Sequence, residues 1–296
     1  MKVLLDLAAT GLLIFIGFLS SLLTHKQRLK LGRLAGDIMR IISSKRRKIA
    51  FENLTNAFPE VSKEWRLNVM KKSFQNLGIV LAEVAAFKSF KEKDIRKMIR
   101  YDRPEFLSEL ISEGKGLIIM SGHFGNWELL AYSAGLFTGI PVTIIVKHQK
   151  NKFTDKILNS YRTMGNNKVV SMRKSARVVV KTILEKGVVA LLADQRATKN
   201  KDIYVEFFGR PAATYETPAV LALKFKTPIA IGFPVRDENG VYNVEIQEIK
   251  HDDLEYNKES IRVLTERHVK MLEDAIRKNP DHWVWQHHRW KYTQED

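Results

Sequence analysis

From Gly116 onward, apolar runs of strand length alternate with helical stretches, and few architectures accommodate that order. The runs are GLIIMS (116–121), PVTIIVK (141–147), NKVVSM (167–172) and GVVALLAD (187–194). Residues 126–137, 152–164 and 174–186 between them read as helices. Continuously apolar strands need cover on both faces, and a helix between successive strands makes the pairing parallel. The fold class is therefore α/β, with a mostly parallel central sheet flanked by helices. IYVEFFG, PIAIGFPV and VYNVEIQEI add strands, and GFPVRDENGVYNVEI reads as an antiparallel hairpin turning at Asn239-Gly240. A last long helix is expected over 258–278.

The part before Gly116 is different. Residues 27–43, 45–57, 63–87 and 103–113 read as helices, with Pro59 ending one and Ser62 able to cap the next. Val3 to Leu23 carries one charge, Asp6, and about 20 apolar residues suffice to cross a bilayer as a helix. The expectation is an N-terminal membrane helix. A signal peptide is the competing reading, but Lys2 alone is a poor basic start and no A-x-A-like site follows. Lys26, Arg28, Lys30 and Arg33 follow the run, which puts the body of the chain in the cytoplasm by the positive-inside rule. The cluster SSKRRK (43–48) suits anionic head groups or a solvated helix start. The division expected is 1–25 anchor helix, 26–115 helical region packed on the core, and 116–296 α/β core.

Charge and cysteine content narrow the function. A formal net charge of +16 implies acidic company: nucleic acid, anionic lipid or an acidic carrier protein. No zinc-finger spacing, aromatic RNA-binding signature or basic zipper supports the first. The chain has no cysteine, so thiol nucleophiles, thiolate metal sites and disulfides are excluded.

Ligands of open α/β sheets bind beyond the carboxyl ends of the strands. His123 falls there, in MSGHFGNWELL (120–130), between Gly122 and Gly125, with Asn126 able to cap the next helix. A loop histidine and a first-turn Glu128 can meet, and Glu128 gains from the helix N-terminus. The carboxylate would fix one ring nitrogen as N–H and leave the other as a general base. Oxyanion donors are expected from the Gly122–Gly125 turn. A histidine that merely caps a helix fits the same spacing. A metal set of His123 and Glu128 with some of His282, His287 and His288 lacks the i, i+4 histidine pair of zinc helices.

GHFGNWE resembles the H-x-x-x-x-D/E signature of glycerolipid acyltransferases, in the glutamate form of the late lipid A biosynthesis (lauroyl and myristoyl) acyltransferase family. AFENLTNAFPEVSKEWR, DKILNSYRTMG, LLADQ, VEFFGRPAATYETPAVLAL and WVWQHHRWK are similar to family segments in the same order, over nearly the whole chain. The resemblance implies transfer of a fatty acyl chain from acyl carrier protein or coenzyme A, with no further cofactor. The acceptor would be a hydroxyl of a lipid A precursor or related glycolipid or lysophospholipid. It implies His123 as base and Glu128 as its partner. Substrate would be met by Arg162, Asp194, Gly122, Gly125, Asn126, Lys147, Gln195, Phe208 and Gly209. Lys147 stands where many relatives carry arginine. Trp283, Trp285 and Trp290 suit a membrane interface or a core. The implied place is the cytoplasmic side of the bacterial inner membrane, against anionic lipid, with no nucleic acid partner. The alternative is a non-catalytic basic protein that binds a membrane surface or nucleic acid.

Overall fold

The computed structural model describes residues 2–197 and 203–291. Four helices come first: α1 (Lys2–Leu22), α2 (His25–Ile42), α3 (Ser44–Ala57) and α4 (Lys63–Ala85). Thr24 and Ser62 cap α2 and α4 through their hydroxyls, which explains the breaks before them. Then follow α5 (Glu92–Met98), β1 (Ile99–Tyr101), α6 (Phe106–Ser112), β2 (Leu117–Ser121), α7 (Trp127–Thr138), β3 (Val142–Val146) and α8 (Lys152–Arg162). The chain continues with β4 (Lys168–Ser171), α9 (Ser175–Leu184), β5 (Val188–Leu192), β6 (Ile203–Phe207), β7 (Arg210–Thr214) and α10 (Thr217–Phe225). The hairpin of β8 (Ile229–Arg236) and β9 (Tyr242–Glu248), and α11 (Lys258–Lys278), complete it.

Seven strands form one sheet in the order β1-β9-β8-β2-β5-β3-β4. The five from β8 to β4 are mutually parallel, and β9 runs antiparallel to β8. Alternate residues of β2 enter two different cores. Leu117 and Ile119 pack with residues of α4, α6 and α7, whereas Ile118 and Met120 pack with α9, α10 and α11. That is why its residues read as an unbroken apolar run. β1, α5, β7 and α10 are too short or too weakly patterned to stand out in the sequence. Phe208 and Gly209 both have positive φ, 53° and 69°, and form the two-residue turn between β6 and β7.

The expected membrane-crossing helix is corrected. Among the described residues no helix is long and apolar enough to cross a membrane. The segment is helical, as α1, but it is built into the fold along one side. Ser20 Oγ donates to Ala82 O at 3.0 Å, and Asn151 Nδ2 of the loop before α8 donates to Asp6 O at 2.8 Å. Buried Arg28 donates to Ser20 O and Leu23 O, each at 3.0 Å, and so ties α2 to the end of α1.

Helices α2 and α4 cross at backbone contact. A methyl group at Gly78 would lie 2.2 Å from Gly32 O and 2.5 Å from Gly36 N, so the crossing requires glycine. Gly78→Val should destabilise the fold by about 2–3 kcal/mol, because the obstruction is backbone rather than a movable side chain. A lowered urea midpoint with an unchanged slope would register it; an unchanged midpoint would contradict the crossing.

Candidate active site

β2 and β5 are adjacent and parallel, with Ser121 opposite Leu192. Two residues beyond those paired ends stand His123 and Asp194, on the carboxyl edge of the sheet. The register therefore brings together side chains 71 residues apart. Asp194 Oδ1 lies 2.8 Å from His123 Nδ1, and Asp194 Oδ2 accepts the His123 backbone N–H, also at 2.8 Å. Trp283 Nε1 donates to the same Oδ2 at 2.9 Å. The carboxylate is sealed, its side chain 2% exposed, while the imidazole keeps 25% of its side-chain surface open. Among the described residues, Nε2 of His123 makes no hydrogen bond.

The pairing of His123 with Glu128 expected from the sequence is not what forms. Glu128 sits in the first turn of α7 and is gripped by Arg162 of α8. Arg162 Nε donates to Oε2 at 2.8 Å and Nη2 donates to Oε1 at 2.5 Å. A guanidinium matches both carboxylate oxygens at once, and Nδ1 of His123 already has Asp194. Glu128 acts on His123 through space only, by its charge. Trp127 lies against the imidazole, with ring centres 5.1 Å apart, and its Nε1 donates to Glu128 at 3.3 Å.

Electrostatics follow from this arrangement. Burial pulls the His123 imidazolium down, but the charge and hydrogen bond of Asp194, with Glu128 adding, outweigh it, so its pKa is raised above the usual 6.5. Burial alone would raise Asp194; His123 and the donated hydrogen bonds hold it at about 2. Nearby His287 is pushed by burial down to about 4 and accepts the Arg196 backbone N–H at 3.2 Å.

Glycine is obligatory at Gly125. Its φ is +50°, and an added Cβ would meet Pro234 O at 1.8 Å. Gly122 is tight against Asp194 and Leu272, each about 3 Å from such a carbon. Oxyanion donors were expected from the Gly122–Gly125 turn, but the amides of residues 123–125 are engaged within the protein. The N–H of His123 goes to Asp194, that of Phe124 to Gly122 O at 2.8 Å, and that of Gly125 to His282 O at 2.9 Å.

The remaining sequence candidates scatter. Asn126 is wholly buried: its Oδ1 caps α7 through Leu129 N, and its Nδ2 donates to buried Glu83 at 2.8 Å. It positions the loop and is closed to substrate. Phe208 and Gly209 make a hairpin turn, with Phe208 inside an aromatic core beside Phe58, Phe207 and Trp285. Lys147 is exposed just past β3, and Gln195 is half-buried next to Asp194. Trp283 and Trp285 are core residues, 2% and 0% exposed, rather than interface anchors. Their segment forms the back wall of the site: Val284 N donates to His123 O at 3.0 Å. The closing WVWQHHRWK stretch signalled importance, but its grip on Asp194 is visible only in three dimensions. His282 spends Nε2 on Arg236 N at 3.1 Å, and among the described residues no group of three or more acidic or histidine side chains could hold a metal.

A histidine steered through Nδ1 and partly open at the rim of a parallel sheet has the chemistry to accept a proton. The family described as bacterial lipid A biosynthesis acyltransferase matches residues 3–292, and the chain belongs to that family and is an acyltransferase. It is 24% identical over 247 residues to a lipid A biosynthesis acyltransferase of Haemophilus influenzae, covering 82% of this chain and 75% of the relative. It is 22% identical to two Escherichia coli proteins. One is the lipid A biosynthesis palmitoleoyltransferase, over 88% of this chain and 84% of the relative. The other is the lauroyltransferase, over 90% and 84%. The non-catalytic alternative is thereby set aside.

Asp194→Asn should lower the pKa of His123, because burial then acts with less opposition. Histidine NMR titration reads this directly. An unmoved or raised value would show that Asp194 does not steer the ring.

Proposed function

We propose that this protein transfers a fatty acyl chain from a thioester donor, acyl carrier protein or coenzyme A, to a hydroxyl of a lipid A precursor or related glycolipid. The observation that carries this reading is the His123–Asp194 pair: Nδ1 is fixed on a buried carboxylate, and among the described residues Nε2 has no hydrogen-bond partner at the rim. Nε2 takes the acceptor's hydroxyl proton as the oxygen attacks the thioester carbonyl. A C–O bond forms, the C–S bond breaks, and the imidazolium returns its proton to the departing thiolate. Asp194 keeps the ring in the reactive tautomer and stabilises its charged form. Glu128 and Arg162 form a braced wall beside the ring, and Trp127 covers one side of it.

Family membership and the names of the relatives support lipid A as the acceptor class. A membrane surface as partner is supported by apolar side chains left open on two helices, among them Leu4, Phe15 and Phe18 of α1 and Leu34, Ile41 and Ile42 of α2. Basic residues from Lys26 to Lys48 suit anionic lipid at its border. In this reading the protein works on the cytoplasmic face of the bacterial inner membrane, with α1 lying against the lipid.

The test is turnover of a labelled acyl thioester by membranes carrying the protein. His123→Ala should lose about 10²- to 10⁴-fold in rate, the usual contribution of a positioned base. The wild-type rate should rise with pH through the pKa of His123, which lies above 6.5, because only the neutral ring accepts a proton. Full activity in a folded His123→Ala protein would remove the mechanism.

A further inference from the structure

Attack on a thioester carbonyl puts negative charge on its oxygen, and a preorganised donor is needed to meet it. The amides of residues 123–125 are engaged within the protein. Arg162 is bound to both carboxylate oxygens of Glu128. Buried Arg289 donates to Ala213 O at 2.6 Å and to Thr214 Oγ1 at 2.7 Å.

His287 is differently placed. Two residues past Asp194, the backbone N–H of Arg196 donates to His287 Nε2 at 3.2 Å. One short stretch of chain thus holds two imidazoles, His123 through the Asp194 carboxylate and His287 through the Arg196 amide. The charges of Asp194 and His123 both reach His287. A ring nitrogen that accepts an N–H carries no proton, so in the neutral imidazole the hydrogen sits on Nδ1. Among the described residues that Nδ1 makes no hydrogen bond, and the ring is half-buried. Burial holds the pKa of His287 down to about 4, whereas that of His123 lies above 6.5. His287 is therefore neutral wherever His123 is free to take a proton.

The donor is also held still. Asn53 Nδ2 of α3 donates to Trp285 O at 2.8 Å and to His287 O at 2.6 Å, and Val284 N bonds His123 O at 3.0 Å. An N–H fixed in advance needs no reorganisation as charge develops. A neutral imidazole can polarise a carbonyl oxygen, and it spares the neighbouring base the repulsion of a second cation.

We infer that His287 donates its Nδ1–H to the thioester carbonyl oxygen as that oxygen becomes an anion. This rests on the reading of His123 as the base. The acceptor's oxygen bonds to the carbonyl carbon, and the C=O electron pair moves onto the carbonyl oxygen, where the Nδ1–H bond stabilises it. The proton stays on Nδ1. When the C–S bond breaks, the pair returns to the C=O and the hydrogen bond weakens.

Turnover of labelled thioester by the full chain, with donor and acceptor varied separately, reads the effect. His287→Ala should lower kcat by about 10²- to 10³-fold with little change in either KM. His287→Asn keeps an amide N–H close to where Nδ1 stood and should recover most of the loss. His287→Gln carries its amide nearer the Nε2 position and should not. Nitrogen NMR of ring-labelled histidine in the wild-type protein should show His287 as the neutral Nδ1–H tautomer at neutral pH, which decides the matter even if the variants fold poorly. The inference is overturned if a folded His287→Ala keeps its kcat, if the loss lies in KM, or if His287→Gln recovers as well as His287→Asn. An Nε2–H tautomer or a charged ring in wild type would overturn it equally. A slow His123→Ala beside a full-rate His287→Ala would sink His287 alone, whereas full rate in His123→Ala would sink the base.

Discussion

The arrangement turns on one carboxylate. Asp194 is buried, ionised and met by three N–H groups: the ring and backbone of His123 and the indole of Trp283. A buried charge is costly unless it is paired and fully hydrogen-bonded. Each donor therefore does more than hold position, because removing one leaves a charge exposed to an apolar interior. The β2–β5 register, the Gly125 turn and the closing tryptophan segment are the features that bring those donors to one point.

Much of the scaffold could be read from residue order. The runs at 117–121, 142–146 and 188–192 are strands because both their faces are covered, and that leaves an unmistakable pattern. Asn239-Gly240 marked its hairpin for an equally local reason. β1 and β7 left no such trace, since one is three residues long and the other begins with Arg-Pro. The first helix misled because hydropathy reports how apolar a segment is, not what it packs on. Its inner side carries Ser20 and Gly17 against α4, and those contacts lie in tertiary structure.

The site was legible in its parts and not in its pairing. His123 announced itself by following a buried strand between two glycines, and Asp194 by ending another. Which carboxylate meets the imidazole depends on strand adjacency and register, and sequence spacing is silent on both. Glu128 looked nearest along the chain, yet a guanidinium from α8 offers it two parallel bonds where the ring offers one. Sequence proximity lost to geometric match. The aromatic run at the end shows the same limit from the other side: it suited a membrane interface or a core equally, and only the fold puts Trp283 and Trp285 in the interior behind the histidine.

Trp283 enters the chain long after the two residues it serves. During synthesis the central strands and most helices are complete before it emerges, and Asp194 waits with one partner missing. The His123 loop is backed by its finished support only once residues 282–285 have threaded behind it, bonding Gly125 and His123 through their own backbone. The order of translation thus makes completion of the hydrogen bonding around Asp194 a late event. A polypeptide interrupted before residue 282 would leave Asp194 without its indole donor.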